Sequence, residues 1–300
     1  MTVTTAGRRR RRRLPDWTRP WLLLAPALLV VLVLFMGGLV LGFLQSLDYM
    51  PLIGKNDFSL DAYVAIFNDR VFWASLWLSL RIAFISTAIS IVLAVGTALL
   101  IYHTERGRRV TTFIYQFNLP IPHIVGAVAM LFLLAQGGLL SRIAFALGLT
   151  DSPGDFPAMT NDRGAVGIIA EYVWKETIFI GVVVLAALAR GVGDYEDLAR
   201  TLGAGRWKRF WHVILPLITP AIVSTSVIVF AFGFGAFEVP FLLGQPFPSA
   251  LPVLAYNAFT DVDLNARSQA MAISMVIAVI TAVAVLAYTW LSRRYVRSES

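Results

Sequence analysis

From Pro20 to Gly42 the chain reads PWLLLAPALLVVLVLFMGGLVLG, a run of 23 residues without a charged side chain. A helix of about 20 apolar residues is long enough to cross the hydrocarbon core of a bilayer. Five further apolar stretches follow along the chain. They are Val71–Tyr102, Phe113–Ala135, Ala165–Leu188, Leu217–Gly235 and Gln269–Leu291. The sequence therefore predicts an all-α polytopic membrane protein with six transmembrane helices.

The composition excludes several classes of protein. Of the 300 residues, 58% are hydrophobic and 14% are charged, and the mean hydropathy is +0.73. These values are outside the range of soluble domains. The sequence has no cysteine, which excludes a disulfide framework, a thiolate metal site and a cysteine nucleophile. Its three histidines are too scattered to have the spacing of metal ligands.

The positions of the basic residues predict the orientation. Of the 25 lysines and arginines, 18 lie in the N-terminal tail, the loops 103–112 and 189–216, and the C-terminus. Cytoplasmic loops carry such an excess, so both termini are expected in the cytoplasm and the protein in the plasma or inner membrane. The block Arg8 to Arg13 directly precedes the first span. We interpret it as an anchor at the membrane surface, with no nucleic acid as partner.

These assignments divide the chain into three parts. Residues 1–19 form a basic cytoplasmic tail, residues 20–295 form the six-helix membrane domain, and residues 296–300 form a C-terminal cytoplasmic tail. The first span starts after residue 19 and lacks a small-residue cleavage site, so we expect a retained helix rather than a signal peptide. The membrane domain includes a cytoplasmic loop at about 190–216.

That loop reads GVGDYEDLARTLGAGRWKRFWHVILP from Gly191 to Pro216. Its pattern predicts two short helices, the first capped by Asp194 and presenting an apolar face of three residues. The residues of that face are Leu198, Ala199 and Leu202. Gly203 and Gly205 permit the turn between the helices, because glycine adopts positive φ without a Cβ clash.

The loop resembles the signature of permease subunits of binding-protein-dependent ABC importers. That signature reads Glu-Ala-Ala, three residues, Gly, nine residues, then Ile-x-Leu-Pro. Asp197-Leu198-Ala199 occupies the opening positions, Gly203 falls at the glycine, Val213 replaces the isoleucine, and Leu215-Pro216 matches fully. Asp for Glu and Leu for the first Ala are departures. The resemblance extends over about residues 20 to 295 through the six spans, the orientation and the short C-terminus.

The resemblance implies a fold and a set of partners. It implies the fold of a type I ABC importer permease, in which the loop contacts a cytoplasmic ATPase through Asp197, Leu198, Ala199, Gly203 and Ala204. Glu196, Val213, Leu215 and Pro216 belong to the same coupling loop. The implied partners are a second permease subunit, two ATP-binding subunits, an extracytoplasmic solute-binding protein and the lipid bilayer. An ordinary amphipathic loop on the bilayer is the alternative.

The chain itself is not expected to be an enzyme. It contains no phosphate-binding loop of the Gly-x4-Gly-Lys-Ser/Thr type, so ATP is expected on the partner ATPase and no cofactor on this chain. Nor does it contain a nucleophile motif or a metalloprotease motif. The predicted role is therefore transport, with this chain forming half of a solute pathway.

Three charges in the fourth span are candidates for that pathway. Glu171, Lys175 and Glu176 lie where a central charge costs roughly 2.5 to 3.5 kcal/mol on insertion scales. Glu171 and Lys175 are four residues apart, so we expect them to neutralise each other. Glu176 then needs another partner, for which Arg81 is the candidate. Either these groups line the solute path, or they form an interhelical ion pair that fixes packing.

The fifth span carries a second candidate region of the path. Gly233, Gly235 and Pro240 are expected to interrupt its helix, and broken helices expose backbone polar groups where solute sites are built. Phe234 and Glu238 are therefore placed on the path beside Glu171 and Lys175. Close helix packing is the competing explanation for the glycines. His123 is interpreted as a packing residue rather than a proton relay.

The solute is assigned from resemblance alone. Three stretches near the C-terminus are similar to the spermidine/putrescine-type permeases, whose relatives handle phosphonates and ferric iron. They are Phe232–Leu243, Leu251–Tyr256 and Ala266–Ile273. Permeases for sugars and glycerol-3-phosphate are the alternative. An alternative of another class is an ion-coupled secondary transporter that uses Glu171, Lys175 and Glu176 as a charge relay.

Overall fold

A computed structural model describes the backbone of residues 18–297 and the side chains of residues 20–290. Apart from the backbone of its last two residues, the tail 1–19 lies outside the described residues, as does most of the tail 296–300. The described chain is helical, and its helices have the following bounds. They are α1 Thr18–Ser46, α2 Asp61–Asn68, α3 Arg70–Tyr102, α4 Arg108–Gln116, α5 His123–Leu134, α6 Leu139–Ala146, α7 Val166–Leu188, α8 Val192–Thr201, α9 Arg206–Arg209, α10 Leu215–Gly235, α11 Glu238–Leu243, α12 Leu251–Phe259 and α13 Ala266–Arg297.

The predicted membrane spans are confirmed in type and order. Five helical stretches in the described chain are long and apolar enough to cross a bilayer, and they contain α1, α3, α5 with α6, α9 with α10, and α13. The sixth is α7, which meets the same criterion together with α8 across a bend of 63°. The protein is therefore a multi-pass membrane protein with a helical membrane domain.

The third span differs from its prediction. Instead of one helix over Phe113–Ala135, the chain forms α4, turns at 117–122, and then enters the membrane as α5 and α6. Pro120 and Pro122 lie in this turn, and proline disfavours helix both at its own position and at the residue before it. The membrane stretch is therefore His123–Ala146, shifted by about ten residues toward the C-terminus.

The helices pack around α7. It lies against α3 and α10 in an apolar cluster that includes Ala94, Ala98 and Val184. Alanines at this interface allow two helix backbones to approach closely, as is usual between membrane helices. A second cluster joins α3 to α2, α10, α12 and α13 and contains Phe72 of α3 and Phe234 of α10. These two clusters hold the three central helices in fixed positions.

Helix α1 is attached to the rest of the chain near its C-terminal end. Its side chains from 20 to 41 are exposed in the isolated subunit. Close packing begins at Gly42, where a Cβ would lie 3.4 Å from Cε of Met275 on α13. Ser46 continues it through a hydrogen bond of 2.9 Å to the hydroxyl of Tyr63 on α2. The body of α1 is therefore available to lipid or to another subunit.

A polar contact follows α1 and fixes the loop after it. The Asp48 carboxylate accepts hydrogen bonds from Lys55 Nζ at 2.7 Å and from the Ser268 hydroxyl on α13. Burial raises the pKa of Asp48, but the bonds from Lys55 and Ser268 outweigh burial and leave the pKa below its ordinary value of 3.8. The ionised carboxylate is therefore the form that stabilises this contact.

We expect Asp48→Asn to destabilise the subunit by about 1 kcal/mol at neutral pH, the scale of a partly screened, charge-assisted hydrogen bond. The lowered pKa means that the stabilisation is present above pH 3.8 and disappears as the pH falls through the pKa of the folded protein. Thermal unfolding in detergent at a series of pH values measures this effect. A stability gap between variant and wild type that stays constant from pH 7 to below pH 3 would contradict it.

Candidate functional site

The cytoplasmic loop has the two-helix form that its sequence predicts. Helix α8 ends in a turn in which the Ala204 N–H donates to the Ala199 carbonyl at 3.0 Å. Gly203 in this turn has φ +82°, a left-handed conformation that favours glycine. Gly205 is extended and precedes α9. The chain then forms a π-helical segment over Phe210–Ile214 that continues directly into α10.

The prediction that Asp194 caps α8 is wrong. The helix begins at Val192, and Gly191 with φ 95° occupies the capping position. Asp194 instead lies within the first turn, where a negative charge interacts favourably with the helix dipole. The left-handed Gly191 permits a sharper bend between α7 and α8 than the sequence pattern suggests, so α8 starts three residues earlier than predicted.

Helix α8 has two different faces. Tyr195, Leu198 and Leu202 point away from the subunit and are 59%, 61% and 82% exposed. Asp197 is exposed as well, whereas Ala199 is half-buried. Large apolar side chains exposed at the tip of a polar loop are typical of a surface that another protein covers.

The opposite face of α8 packs on the subunit. Val192 is buried in the cluster around α3, α7 and α10. The Glu196 carboxylate lies 3.5 Å from Arg209 Nε and 3.7 Å from His103 Nε2. The resemblance places Glu196 among the residues of the coupling loop, whereas the structure turns its side chain toward the subunit itself.

The remaining loop residues lead into the membrane. Gly203 is exposed, Ala204 and Val213 are half-buried, and Leu215 packs against the buried cluster. Pro216 lies in the first turn of α10, where its missing N–H removes no helical hydrogen bond. The signature therefore ends at the entrance of a membrane helix, as its Leu-Pro terminus implies.

The buried charges of α7 form a second candidate site. Glu171 is fully buried, and its Oε1 lies 3.2 Å from Nδ1 of His123 at the start of α5. Lys175 Nζ donates to the carbonyls of Asn118 at 2.8 Å and Ile121 at 2.5 Å. Both carbonyls belong to the non-helical turn before α5, where the Asn118 carbonyl also accepts the Ile121 N–H at 3.1 Å. The predicted Glu171–Lys175 pair is wrong, since no ion pair joins the two within the described chain.

The predicted partner of Glu176 is also wrong. Arg81 donates to the Arg163 carbonyl at 2.6 Å, near the opposite end of α7 from the loop 189–216. Glu176 Oε2 instead lies 3.5 Å from the Ser90 hydroxyl, and Oε1 has no hydrogen-bond partner in the described structure. Ser90 is nine residues beyond Arg81 on the same helix, a rise of about 14 Å. Within the described chain, Arg81 is bound by the Arg163 carbonyl and forms no ion pair with Glu176.

A cavity of about 270 Å³ opens beside these groups. Its walls come from the turn before α5, α5 itself, α7 and α10. The lining residues are Leu119, Ile121, His123, Lys175, Glu176, Phe179, Ile228, Val229 and Phe232. The His123 ring lies 4.7 Å from that of Phe232, so an imidazole, an ammonium group, a carboxyl group and aromatic faces meet in one space.

The structure separates the four residues that the sequence places on the path. Lys175 lines the cavity, and Glu171 lies behind His123. Phe234 is fully buried in the cluster with α2, α3, α12 and α13, on a different face of α10 from Phe232. Glu238 is exposed at the start of α11.

The break in the fifth span is present, since α10 ends at Gly235 and α11 begins at Glu238. Sequence reasoning nevertheless missed two cavity residues, His123 and Phe232, whereas Glu176 lines the cavity as one of the candidate charges of the fourth span. Pro120 and Pro122 were the available signal for His123, because a helix that starts inside the membrane exposes the groups at its end.

Comparison with known proteins agrees with this geometry. Residues 90–297 match the family described as "Binding-protein-dependent transport system inner membrane component". The molybdenum transport system permease protein ModB of Mycobacterium tuberculosis is 31% identical over 258 residues, which cover 79% of this chain and 91% of ModB. The trehalose transport system permease protein SugA of the same organism is 28% identical, covering 85% of this chain and 83% of SugA.

The fold is similar to that of a solved transporter. A chain of the bacterial alginate ABC transporter, crystallised in complex with an alginate pentasaccharide-bound periplasmic protein, superposes with a TM-score of 0.77. The match covers 93% of this chain and 96% of that chain at 23% sequence identity. The exposed two-helix loop, the membrane helices and the family match lead to one conclusion: the chain belongs to the binding-protein-dependent transport system inner membrane components and is a permease subunit of an ABC importer.

Proposed function

We propose that this permease forms half of a solute pathway together with a second permease subunit, and that two cytoplasmic ATP-binding subunits drive it. The observation that carries this proposal is the exposed face of α8, formed by Tyr195, Leu198 and Leu202. That face needs a partner, and it lies on the loop that bears the family signature. In this arrangement ATP is bound by the partner ATPase, and this chain binds no cofactor and no nucleic acid.

The distribution of lysine and arginine supports a cytoplasmic position for both termini and for α8. An extracytoplasmic binding protein then meets the other side of the membrane domain. The alginate transporter was crystallised with such a periplasmic protein, which supports the same partner here. ATP binding brings the two ATPase subunits together, α8 moves with them, and the membrane helices open the pathway outward.

We place the solute path at the cavity between α5, α7 and α10. A charged group is retained inside a membrane where it faces protein or water, and this cavity collects His123, Lys175 and Glu176 at one position. Lys175 stays on the path as predicted, Glu171 acts by holding His123, and Phe232 takes the place assigned to Phe234. Glu238 is proposed at the external entrance, because it follows the break in the fifth span.

The relatives bear on the class of solute. The name of SugA refers to trehalose and that of ModB to molybdenum. SugA favours the sugar or glycerol-3-phosphate alternative over the polyamine, phosphonate and ferric iron group, and ModB fits neither. We therefore propose a small polar solute of the sugar or glycerol-3-phosphate type, delivered by the binding protein.

The first experiment is purification of the tagged chain from its native membrane in mild detergent, followed by mass spectrometry of the retained proteins. Recovery of an ATPase, a second permease and a binding protein is the expected result. Reproducible isolation of this chain alone, after chemical cross-linking in the intact membrane, would contradict the proposed complex.

We expect Glu171→Gln to reduce solute uptake by about tenfold while leaving the complex assembled, because the amide holds His123 more weakly than the carboxylate does. Uptake into proteoliposomes and thermal unfolding of the same preparation measure the two effects. Asp57→Asn, on an exposed external loop, is the matched control. Unchanged uptake with a lowered melting temperature would remove Glu171 from the path and assign it to packing.

The cluster of buried ionisable groups favours one competing function, an ion-coupled secondary transporter. His123, Glu171 and Glu176 adjoin a cavity inside the membrane domain, as groups of a charge relay do. This function predicts uptake that survives ATP depletion and stops with a protonophore. Uptake by an ABC importer instead stops on ATP depletion and survives a protonophore. Measuring uptake under each of these two conditions therefore separates the two functions.

A further inference from the structure

Glu196 differs from the other acidic residues of α8 in the direction of its side chain. It is 14% exposed and faces the subunit, whereas Asp194 and Asp197 are exposed. Among the described residues, ion pairs of α8 involve Glu196 and neither aspartate. The family signature begins at Asp197, so the inward acid lies one position before it. Because adjacent residues of a helix point about 100° apart, the two acids serve different surfaces.

The Glu196 carboxylate joins three separate parts of the fold. Its own helix bears the exposed apolar face. Arg209, 3.5 Å away and 16% exposed, ends α9 and is followed by the π-helical segment that runs into α10. His103, 3.7 Å away, follows the last residue of α3. One side chain therefore connects the exposed loop to two membrane helices.

The His103 ring is oriented for this contact. Its Nδ1 lies 2.8 Å from the Leu99 carbonyl, which accepts hydrogen bonds only, so the proton on Nδ1 points to that carbonyl. Nε2 is then the ring atom that faces Glu196, and it donates to the carboxylate in the form of the ring that carries a proton on both nitrogens. This arrangement holds the imidazole against α3 and gives the carboxylate a fixed neighbour there.

The two membrane helices that Glu196 reaches both pack on α7, and α10 supplies one wall of the polar cavity through Ile228, Val229 and Phe232. A movement of α8 can reach the cavity through α10 and α3. For this, α8 has to stay attached to α9, which leads into α10, and to the C-terminal end of α3. Apolar contact at Val192 supports one end of α8. The ion pair of Glu196 with Arg209 supplies the polar connection one turn further on.

We propose that Glu196 is a positioning residue that locks α8 to the start of the fifth span and to the end of α3, so that movement of the docked ATPase reaches the solute cavity. This inference rests on the proposed docking of an ATPase on α8. Glu196 does not contact the ATPase in this arrangement. Its loss leaves the outward face of α8 intact and weakens the transmission behind it.

The test compares Glu196→Gln with Asp194→Asn, which removes an exposed acid from the same helix. Both variants are purified with their native partner subunits and reconstituted in proteoliposomes with the native binding protein. Solute uptake and ATP hydrolysis are measured on the same vesicles. We expect Glu196→Gln to lower the number of solute molecules taken up per ATP on the order of 5-fold, the low end of couplings between sites. Retention of the ATPase subunits and the ratio for Asp194→Asn stay at the wild-type level.

A second variant separates the ion pair from general damage to the loop. Arg209→Gln is expected to produce the same loss, and the double variant Glu196→Gln with Arg209→Gln no greater loss than either alone, because both remove one interaction. Arg209→Lys is expected to restore most of the ratio. Losses that multiply in the double variant would assign the two residues to independent roles and overturn the proposal.

The outcomes also distinguish this inference from the proposed function. If the wild-type complex retains no ATPase or shows no ATP-dependent uptake, the proposed function is wrong. If wild type transports and Glu196→Gln has an unchanged ratio of uptake to hydrolysis, the function stands and the positioning role is wrong. If Glu196→Gln loses the ATPase while Asp194→Asn keeps it, Glu196 is a docking residue and the proposal is again overturned.

Discussion

Replacing Gly203 by valine is expected to abolish ATP-driven uptake while the chain still inserts into the membrane. Gly203 has φ +82° at the end of α8. A left-handed conformation costs a residue with a Cβ roughly 1–2 kcal/mol, and a β-branched residue is among the worst suited to it. Unwinding of the turn between α8 and α9 relieves this strain, and the turn then no longer fixes the orientation of α8 relative to α9. The exposed face of α8 then loses its orientation toward the proposed ATPase partner.

The matched control for this prediction is Gly203→Asn. Asparagine is enriched in the left-handed region, and a Cβ at Gly203 would meet no atom within 4 Å. A Cβ is therefore not crowded in either variant, and the two residues differ in how readily they adopt the left-handed conformation. We expect Gly203→Asn to keep most of the uptake. Equal uptake by the valine variant and wild type would refute the role of this turn in coupling.

Gly181→Ala is expected to produce the largest loss of stability. Gly181 lies on α7 where α4 crosses it, and a Cβ there would lie 2.0 Å from the Tyr115 hydroxyl and 2.9 Å from Cζ of its ring. That hydroxyl donates to the Thr177 carbonyl at 2.9 Å and lies 3.0 Å from the Thr97 hydroxyl. The whole ring has to move, so the variant loses both bonds and the contact between α4 and α7. We expect a destabilisation of about 2–4 kcal/mol.

Thermal unfolding of the purified subunit in detergent checks this value. Gly96→Ala on α3 is the control, because a Cβ at Gly96 would meet no atom within 4 Å. Alanine is the better helix former by about 1 kcal/mol, so this control is expected to be neutral or stabilising. Tyr115→Phe removes the hydroxyl alone and should cost less than Gly181→Ala. A Gly181→Ala variant as stable as Gly96→Ala would show that α4 is not fixed on α7.

Hydropathy predicts most of the membrane domain because each span has to be apolar over its full length. The predicted bounds of the second span agree with those of α3 to within one residue. The helix begins there because the Asp69 carboxylate caps it and accepts a 2.8 Å hydrogen bond from the Val71 N–H. The third span is misplaced because α4 is apolar on one side only. Its exposed Phe113 and Ile114 lie just before the turn and extend the apolar stretch of α5 toward the N-terminus, so hydropathy does not reveal that turn.

The two candidate sites were predictable to different degrees. The cytoplasmic loop is a local structure, so the spacing of its glycines and Leu-Pro terminus was sufficient to locate it. The pairing of the buried charges is not local. Lys175 is bound by carbonyls of a non-helical turn and Glu171 by a histidine of another helix. The periodicity of a helix shows that Glu171 and Lys175 lie on the same face of α7. It does not show which groups from other parts of the fold bind these two side chains.

The surroundings of α7 also have a consequence for how the protein is made. Glu171, Lys175 and Glu176 would each resist entry of this helix into lipid. His123, the carbonyls of Asn118 and Ile121, and Ser90 all come earlier in the chain. They have left the ribosome when α7 emerges, so this charged segment is synthesised with its polar partners already present. A permuted gene that encodes α7 first would present the same segment to the translocon alone, and its integration would fail.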